Sequence, residues 1–519
     1  MTQEEDKNLV LRHYQQAKDF RRPYETKWTR WYKMYRSYTE QKEKGRANLF
    51  IPESLANVER AVARDMRAIW SANPIVTCAP FGPEDAQPAR NQEMLLNWQI
   101  EQINLYGKML LWLRDARIYG TSLAKLLWSN KVVNLTTIQE DFDEEGNPIY
   151  RRISQPVTRY EGPNMQAVDI FKVYVNPLAT ASEEWDWNLG WIIHQEYRTY
   201  GQLKEMDIYK NLSLLKKRAG SVSSEDWRLE RLQATGMTTP QSDEKEPLFK
   251  ILEHWEEDRL ITLADDEITI FSDDNEFGFI PFMVARPHPI GPEFYGLGEI
   301  EKFESLQFEL NDIRNQRMDN VNQLINLKIG IDSTMEVDET ALMDTESTIV
   351  RVGGNPDQAI RELKFIDVTR SGYNEEKILR EDIDHATGQY DPIKGQPSGS
   401  RETATEILSL QEAGNVRIDM ALALLRQQSI KPLFENMAET NRRFLNATQK
   451  IRLFGQEVEI GPLDLMGNYD VVVMGAGAAG LSHPAQVQLL TQIVNQFGRF
   501  GILNIPEITK EIATIMGIK

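Results

Sequence analysis

Basic residues are in short supply. The 519-residue chain holds 59 Lys and Arg against 78 Asp and Glu, a formal net charge of −19. A protein that grips nucleic acid through its phosphates needs clustered cations, so this balance argues against tight sequence-specific DNA binding. It permits the opposite relation, because an acidic surface repels a polyanion and lets it pass. Cysteine is nearly absent. The lone Cys78 excludes an internal disulfide and any multi-cysteine zinc site, and it fits a reducing compartment. No apolar run approaches the roughly 18 residues of a helical membrane span. The opening residues, MTQEEDKNLVLRHYQQ, are charged and contain no apolar signal core, so a soluble chain assembled in the cytoplasm is expected. Histidine occurs only at 13, 194, 254, 288, 385 and 483, never at a ligand spacing such as HExxH. Walker A and GxSxG sequences are also missing. The rest of the composition is that of a globular protein, 41% hydrophobic and 26% charged, and the length suits roughly two to four folding units.

The most suggestive motif that is present is YDVVVMGAGAAGLSHP, residues 469–484. An apolar run leads into Gly475, Gly477 and Gly480, which spells GxGxxG. A dinucleotide site needs more: a second parallel strand ending in Asp or Glu about 20 residues further on. Around that position stand Phe497, Gly498, Arg499 and Phe500, while Val487, Leu489, Leu490, Ile493 and Val494 recur at helical spacing. A nucleotide- or flavin-dependent oxidoreductase using Gly475–Gly480 is therefore kept only as an alternative. The plainer reading is a strand ending in a small-residue loop, with Ser482 capping a helix that has Pro484 in its first turn. DFDEEG (141–146) imitates the start of a calcium loop, but its twelfth position is Arg152, where a bidentate Glu is required. Glu145-Gly146-Asn147-Pro148 reads as a hairpin turn instead. His385 beside Asp384 reads as a solvated pair. No catalytic constellation, cofactor site or metal site emerges, and a non-enzymatic protein is expected.

The periodicity gives an α+β chain. Residues 3–38 read as a helix with Trp28, Trp31, Tyr32 and Tyr35 as a core-facing stripe, and 53–72 and 90–118 continue the helical pattern, the latter ended by Gly120. Strand patterns follow in SLAKLLWSN, KVVNLTTIQEDF, NPIYRRIS and VDIFKVYVNP, with a helix near 200–217 and polar residues over 221–246. LFKILEHWEED, LITLADDEITIF and FIPFMVARPHP restore strands. From Gly298 a helical pattern runs for roughly 45 Å. One of its faces is apolar (Ile300, Phe303, Leu306, Leu310, Ile313, Val321, Leu324) and the other carries Asn311, Asn315, Asn322 and Gln323. The amide face suits packing beside a second copy, a wet passage, or plain solvent. Residues 329–372 form a small excursion with strand candidates IGID, STIVRVG and IRELKFIDV, followed by the helix NEEKILREDIDHATG. GQYDPIKGQPSGS (388–400) is punctuated by Gly and Pro. Ser400 then caps a long helix with Gly414 and Pro432 as expected kinks. IRLFGQEVEI and YDVVVM are the last strand candidates.

This succession resembles the portal proteins of tailed bacteriophages. The resemblance is carried by YGTSLAKLLW (119–128), FKVYVNPLAT with GWIIHQEYRTYGQLKEM (171–180 and 190–206), HPIGPEFYGLGEIEKFESLQFELNDIRNQRMDNVNQ (288–323) and GQYDPIKGQPSGSRETATEI (388–407). It implies a mixed α/β wing at 1–297, rejoined by a long helix and returning strands at 401–474. It implies a stem helix at 298–328 and a second at 373–387, a clip at 329–372, a tunnel loop at 388–400 and a helical crown at 475–519. It further implies a homododecameric ring at the capsid vertex, a conduit for double-stranded DNA. A large terminase would dock on the clip and neck, adaptor and tail proteins would follow, with capsid and scaffold proteins around the ring and no membrane involved.

The charges agree with a conduit. Residues 329–372 hold nine acidic and four basic residues, and Glu299 to Asn326 hold six and three. Such a wall offers DNA no deep trap. Lys394 is the best candidate for a cation steering the duplex, with Gln389, Tyr390 and Gln396 beside it and Arg401, Arg314 and Arg317 as further channel candidates. Arg351, Arg361 and Lys364 are the clip candidates for docking. For each of these the plainer reading is an ordinary surface residue. A ring scaffold that never meets DNA is the second alternative.

Overall fold

The computed structural model describes residues 3–40, 45–142, 148–181, 187–217, 231–232, 234–235, 247–291, 293–326, 328–344, 348–363, 366–388, 419–453 and 456–474. It opens with helix α1, Gln3–Tyr35. Glu4, Glu5 and Asp6 sit in its first turn and Lys33 in its last, each placed to favour the helix dipole. The aromatic stripe is buried as expected: Trp28 is 0% and Trp31 2% exposed. Helices α2 (Glu53–Ile69), α3 (Ala86–Gln102) and α4 (Leu105–Tyr119) follow. The stretch 90–118 is thus two helices, not one. Asn104 adopts a left-handed conformation at φ 50° and breaks it, a position that Asn tolerates better than most residues. Gly120, at φ 81°, ends α4 as its sequence signals.

Strand β1 (Val76–Pro80) precedes α3. After α4 come β2 (Ser122–Phe142) and β3 (Pro148–Val168), two 21-residue strands paired antiparallel along their whole length. The sequence pattern divides β2 into two strands; the structure joins them, with a bulge between Lys131 and Val132. The expected turn at 145–148 falls mostly outside the described residues.

A five-stranded antiparallel sheet comprises β4 (Val173–Val175), β5 (Ile192–Thr199), β6 (Leu248–Trp255), β7 (Arg259–Ala264) and β8 (Ile268–Asp274), in the order β8-β7-β6-β5-β4. The first half of α1 covers one side of it through Val10, Tyr14, Trp191, Ile193 and Leu263. Leu203, Leu215, Phe249, Ile251 and Ile270 form a second cluster, which alternation along a strand requires. β9 (Phe282–Ala285) pairs with the root of β2.

Helix α5 (Glu304–Ile325) enters through a short 3-10 turn at Ile300–Lys302. Strands β10 (Lys328–Ile331) and β11 (Ile360–Leu363) pair antiparallel, and α6 (Thr369–Thr387) follows. Of the three strand candidates in this excursion STIVRVG forms none among the described residues; it contributes a single bridge, Val337 to Val352. In the last helical region a π turn at Arg426–Ile430 leads into α7 (Lys431–Phe444). It lies just ahead of Pro432, where a kink is expected. Proline lacks an N–H and crowds the carbonyl four residues back, and a wider turn relieves both. Gly414 lies outside the described residues.

IRLFGQEVEI becomes a hairpin, β12 (Gln449–Leu453) with β13 (Gln456–Ile460). YDVVVM supplies β14 (Tyr469–Val473), which pairs antiparallel with β1 in a two-stranded sheet, Val76 opposite Val473 and Pro80 opposite Tyr469. A dinucleotide fold needs its glycine loop to leave a strand of a parallel sheet. The strand ahead of Gly475 sits in a different setting. The glycine run itself, and everything from 475 onward, lies outside the described residues.

Candidate functional site

α5 and α6 form an antiparallel rod. Phe303, Leu310, Leu379 and Ile383 pack with Ile51 at its base, joined by Leu306, Ile313 and Ala386. Further out, Arg317 pairs with Glu376 at 2.7 Å and stacks on the Tyr373 ring at 3.8 Å. Arg314 reaches the same carboxylate at 3.6 Å. Further still, Asn320 donates to the Ile366 carbonyl and accepts from Val368 N–H. Gly372 makes room for the close crossing, since a Cβ there would stand 3.2 Å from Arg317 Cδ.

The amide face of α5 has a specific partner. Gln307, Asn311, Asn315 and Asp319 recur every fourth residue and hold segment 47–54, which is extended over 47–51 and then enters the first turn of α2. Asp319 accepts from Ala47 N–H at 2.6 Å, and Asn315 both accepts from Leu49 N–H at 2.7 Å and donates to its carbonyl at 3.0 Å. Asn311 accepts from Ile51 N–H at 2.9 Å. Gln307 donates to Ile51 O at 3.0 Å and accepts from Ser54 N–H and hydroxyl at 3.1 Å. The geometry is a match of periods. Four helical residues advance about 6 Å and two extended residues about 6.6 Å, so one helix face serves as a strand edge at three successive positions, Ala47, Leu49 and Ile51. Of the three settings open to these amides, Asn311 and Asn315 take none: they are buried inside the subunit. Asn322 alone of the four named is solvent-exposed.

The rod is rooted in backbone contact and a buried ion knot. Gly120 and Gly298 let two chain segments touch: a Cβ at Gly120 would stand 2.1 Å from Gly296 O, and one at Gly298 2.6 Å from Ile118 O. Gly296 N–H donates to Thr121 Oγ1 at 2.8 Å, and Glu299 N–H to Arg117 O at 2.7 Å. Beside them Arg117, 4% exposed, holds Asp65 through two bonds of 2.6 and 2.7 Å and reaches Glu299 at 3.4 Å. Lys302 lies 3.1 Å from Glu299 and 2.8 Å from His288 Nε2. Burial works against ionisation of Glu299, but contact with His288 and the charges of Lys302 and Arg117 outweigh it and hold its carboxyl well below the usual range. A cavity of about 240 Å³ opens beside the knot and is lined by both Thr387 and Met420. Thr387 and Met420 therefore stand together at the base of the rod.

Of the channel and docking candidates, Arg317 is buried and Arg314 half-buried, both directed at Glu376 rather than at solvent. Arg351 and Arg361 are exposed on the excursion. Gln389, Tyr390, Lys394, Gln396, Arg401 and Lys364 lie outside the described residues. The outward stripe of α5 carries Ser305, Phe308, Glu309, Asp312 and Gln316, without a basic group; Asn322 lies beyond Asn315 on the ladder face. Sequence reasoning missed the ladder and the knot. The i, i+4 recurrence of Gln307, Asn311, Asn315 and Asp319 was the available signal for the first; the second joins positions too far apart in sequence to show one.

A family model described as the phage SU10 portal protein matches residues 7–146 and 133–519. No curated protein matches the chain.

Proposed function

The chain belongs to the phage SU10 portal protein family, and from that premise we propose that copies of it form a ring around an open axial channel for double-stranded DNA. The observation that carries the ring is the outer end of the rod and the excursion joined to it. Ile325 and Ile366, at the rod end, are 72% and 83% exposed in the single chain, and Met343 and Ile349, in the excursion, 83% and 74%; the excursion also holds the two-stranded β10–β11 sheet. Apolar surface and open strand edges of this kind call for a neighbour, and side-by-side copies supply one without any further protein.

The rod is the stem, 328–363 the core of the clip, and the body built on α1–α4 and the sheets the wing. The outward stripe of α5, with Glu309 and Asp312 and no basic group, supports a channel wall without cationic traps, because strong multi-phosphate contacts would oppose sliding. Arg317 leaves the set of channel cations, its charge being answered by Glu376. Steering then falls to Lys394 and Arg401, in the segment between Thr387 and Met420. Arg351, Arg361 and Lys364 are the docking cations for a large terminase and later for neck and tail proteins. The ring is a dodecamer assembled in the host cytoplasm, and the force for packaging comes from the terminase.

Electron microscopy of the purified full-length protein tests this directly. End-on views showing a central hole wide enough for duplex DNA are expected. Compact monomers under every condition, or particles without a hole, refute the ring. Rings lacking 389–400 should assemble yet fail in packaging or DNA retention; normal performance by such rings refutes the role given to that loop.

A further inference from the structure

We propose that His13, His254 and Glu256 form a binding site for a zinc-class divalent cation at the seam between α1 and the five-stranded sheet. The three residues each direct one ligand atom to a common point, all within 4.8 Å of one another. His13 Nδ1 lies 2.9 Å from His254 Nε2, and that nitrogen lies 4.0 Å from Glu256 Oε1. His254 is the last residue but one of β6 and Glu256 follows two residues later, so alternation points both side chains the same way. His13 comes from α1, 241 residues earlier. Trp191 holds the rings in place, stacked on His13 at 4.3 Å with planes 6° apart and 5.8 Å from His254.

The donor set selects the ion. Two imidazoles and one carboxylate suit zinc and its first-row neighbours, whereas calcium and magnesium favour oxygen ligands. Metal–nitrogen bonds near 2.0–2.1 Å at tetrahedral angles need donors about 3.3 Å apart. The His pair must open by about 0.4 Å, and Glu256 must close by about 0.7 Å on His254 and by up to about 1.5 Å on His13, on that geometry. His254 is fully buried, but His13 and Glu256 reach the surface, so an ion has an entry path and a fourth position stays open to water. The charges around the site are mixed: Asp258 and Asp6 act on Glu256 as like charges, while Arg259 opposes them there and also acts on His254, and Arg12 acts on His13. His254 Nδ1 has no hydrogen-bond partner, so the ring owes its orientation to Trp191 and to burial rather than to a hydrogen-bonded outer shell. Such an ion would clip α1 to the sheet and owes nothing to the portal reading.

The test uses tag-free, full-length protein stripped with chelator and titrated with Co²⁺, then with Zn²⁺. The wild type should take up one Co²⁺ per chain with visible ligand-field bands, and Zn²⁺ should displace it. His13→Ala and Glu256→Gln should lose the bands and bind at least roughly tenfold more weakly. Glu256→Gln keeps side-chain size, so its circular dichroism should match the wild type and the loss can be read as a lost ligand even if His13→Ala loosens α1. A wild type without bands, or both variants binding like the wild type, overturns the site and leaves a plain His–His hydrogen bond.

Discussion

The amide ladder makes a quantitative claim about segment 47–54. Asn315 contributes two hydrogen bonds to Leu49, at 2.7 and 3.0 Å. A net value near 1 kcal/mol each puts the local cost of Asn315→Ala at about 2 kcal/mol. Gln307 is 0% exposed and its loss is heavier. Gln307→Leu keeps the volume but strands Ile51 C=O and the Ser54 N–H and hydroxyl, and about 1–3 kcal/mol per stranded group places it near or above 4 kcal/mol. Where opening is fast relative to the probe, exchange follows the opening equilibrium. At 1.4 kcal/mol per factor of ten, Asn315→Ala should speed hydrogen exchange of the Leu49 and Ile51 amides about 30-fold. Trypsin cleavage after Arg46 should rise with it, and Gln307→Leu should exceed both. Gln316→Ala, on the outward stripe, is the control and should change neither. Exchange in Asn315→Ala within about threefold of the control would mean that packing of Ile51 alone retains the segment, and the ladder argument would fail.

Gly120→Ala meets both a left-handed φ of 81° and a backbone oxygen 2.1 Å from the new Cβ, so a loss above about 3 kcal/mol is expected, seen as poor soluble yield or a depressed apparent Tm. Gly45→Ala, at φ 92° with nothing within 4 Å, should cost only the left-handed strain, about 1–2 kcal/mol. Glu299 and Glu253 both have folded pKa values below their ordinary 4.5; burial opposes ionisation at each, and the nearby cations, Lys125 foremost for Glu253, outweigh it. Their stability contribution is therefore complete above about pH 4.5 and lost as pH falls below it toward the folded values. Melts from pH 7 to 3 should show that decline, and Glu299→Gln should flatten part of it. Glu309→Lys with Asp312→Lys would add cations to the outward stripe of α5; rings carrying them should retain DNA more strongly, with a salt slope steeper by about 0.9 for each phosphate newly neutralised, and package more slowly. Unchanged retention and rate would place that stripe away from DNA.

The sequence was most readable where a periodic pattern meets a continuous core. The α1 stripe, the end of α4 at Gly120 and the strand character of 451–460 all follow from local residue chemistry; that the last folds back as a pair of strands does not. What stayed hidden was pairing at a distance. Asn311 looks the same in a sequence whether it faces water, a second subunit or the backbone of Ile51, and the deciding partner stands 260 residues away. Arg317 reads as a surface cation until Glu376 is placed beside it. GxGxxG is local and conspicuous, whereas the observation that weighs against a nucleotide is the antiparallel pairing of Val473 with Val76. His13 and His254 show no spacing motif because helix and strand bring them together from 241 residues apart.

The convergence at the root of α5 bears on how a ring of these subunits can close. Four parts of the chain meet there: the 47–54 segment, the α4 end at 117–121, the turn at 296–302, and the pair formed by Thr387 and Met420. Burying Asp65, Arg117 and Glu299 together is not an efficient way to gain stability, because the cost of taking three charges out of water largely cancels their attraction. A well-packed apolar core would serve as well for stability alone. What the bidentate Arg117–Asp65 pair adds is direction, since a guanidinium and a carboxylate meet in few geometries. Direction is what a closed ring demands. A rotation error per subunit is multiplied around the circle, and closure depends on that rotation being the same at every interface. On the portal reading, the knot and the glycine contact together fix the angle at which the rod leaves the body, and the amide ladder ties the rod to a second segment of the same subunit. The interfaces between copies are then left to the exposed apolar residues at the rod's outer end, where side chains can adjust without changing that angle.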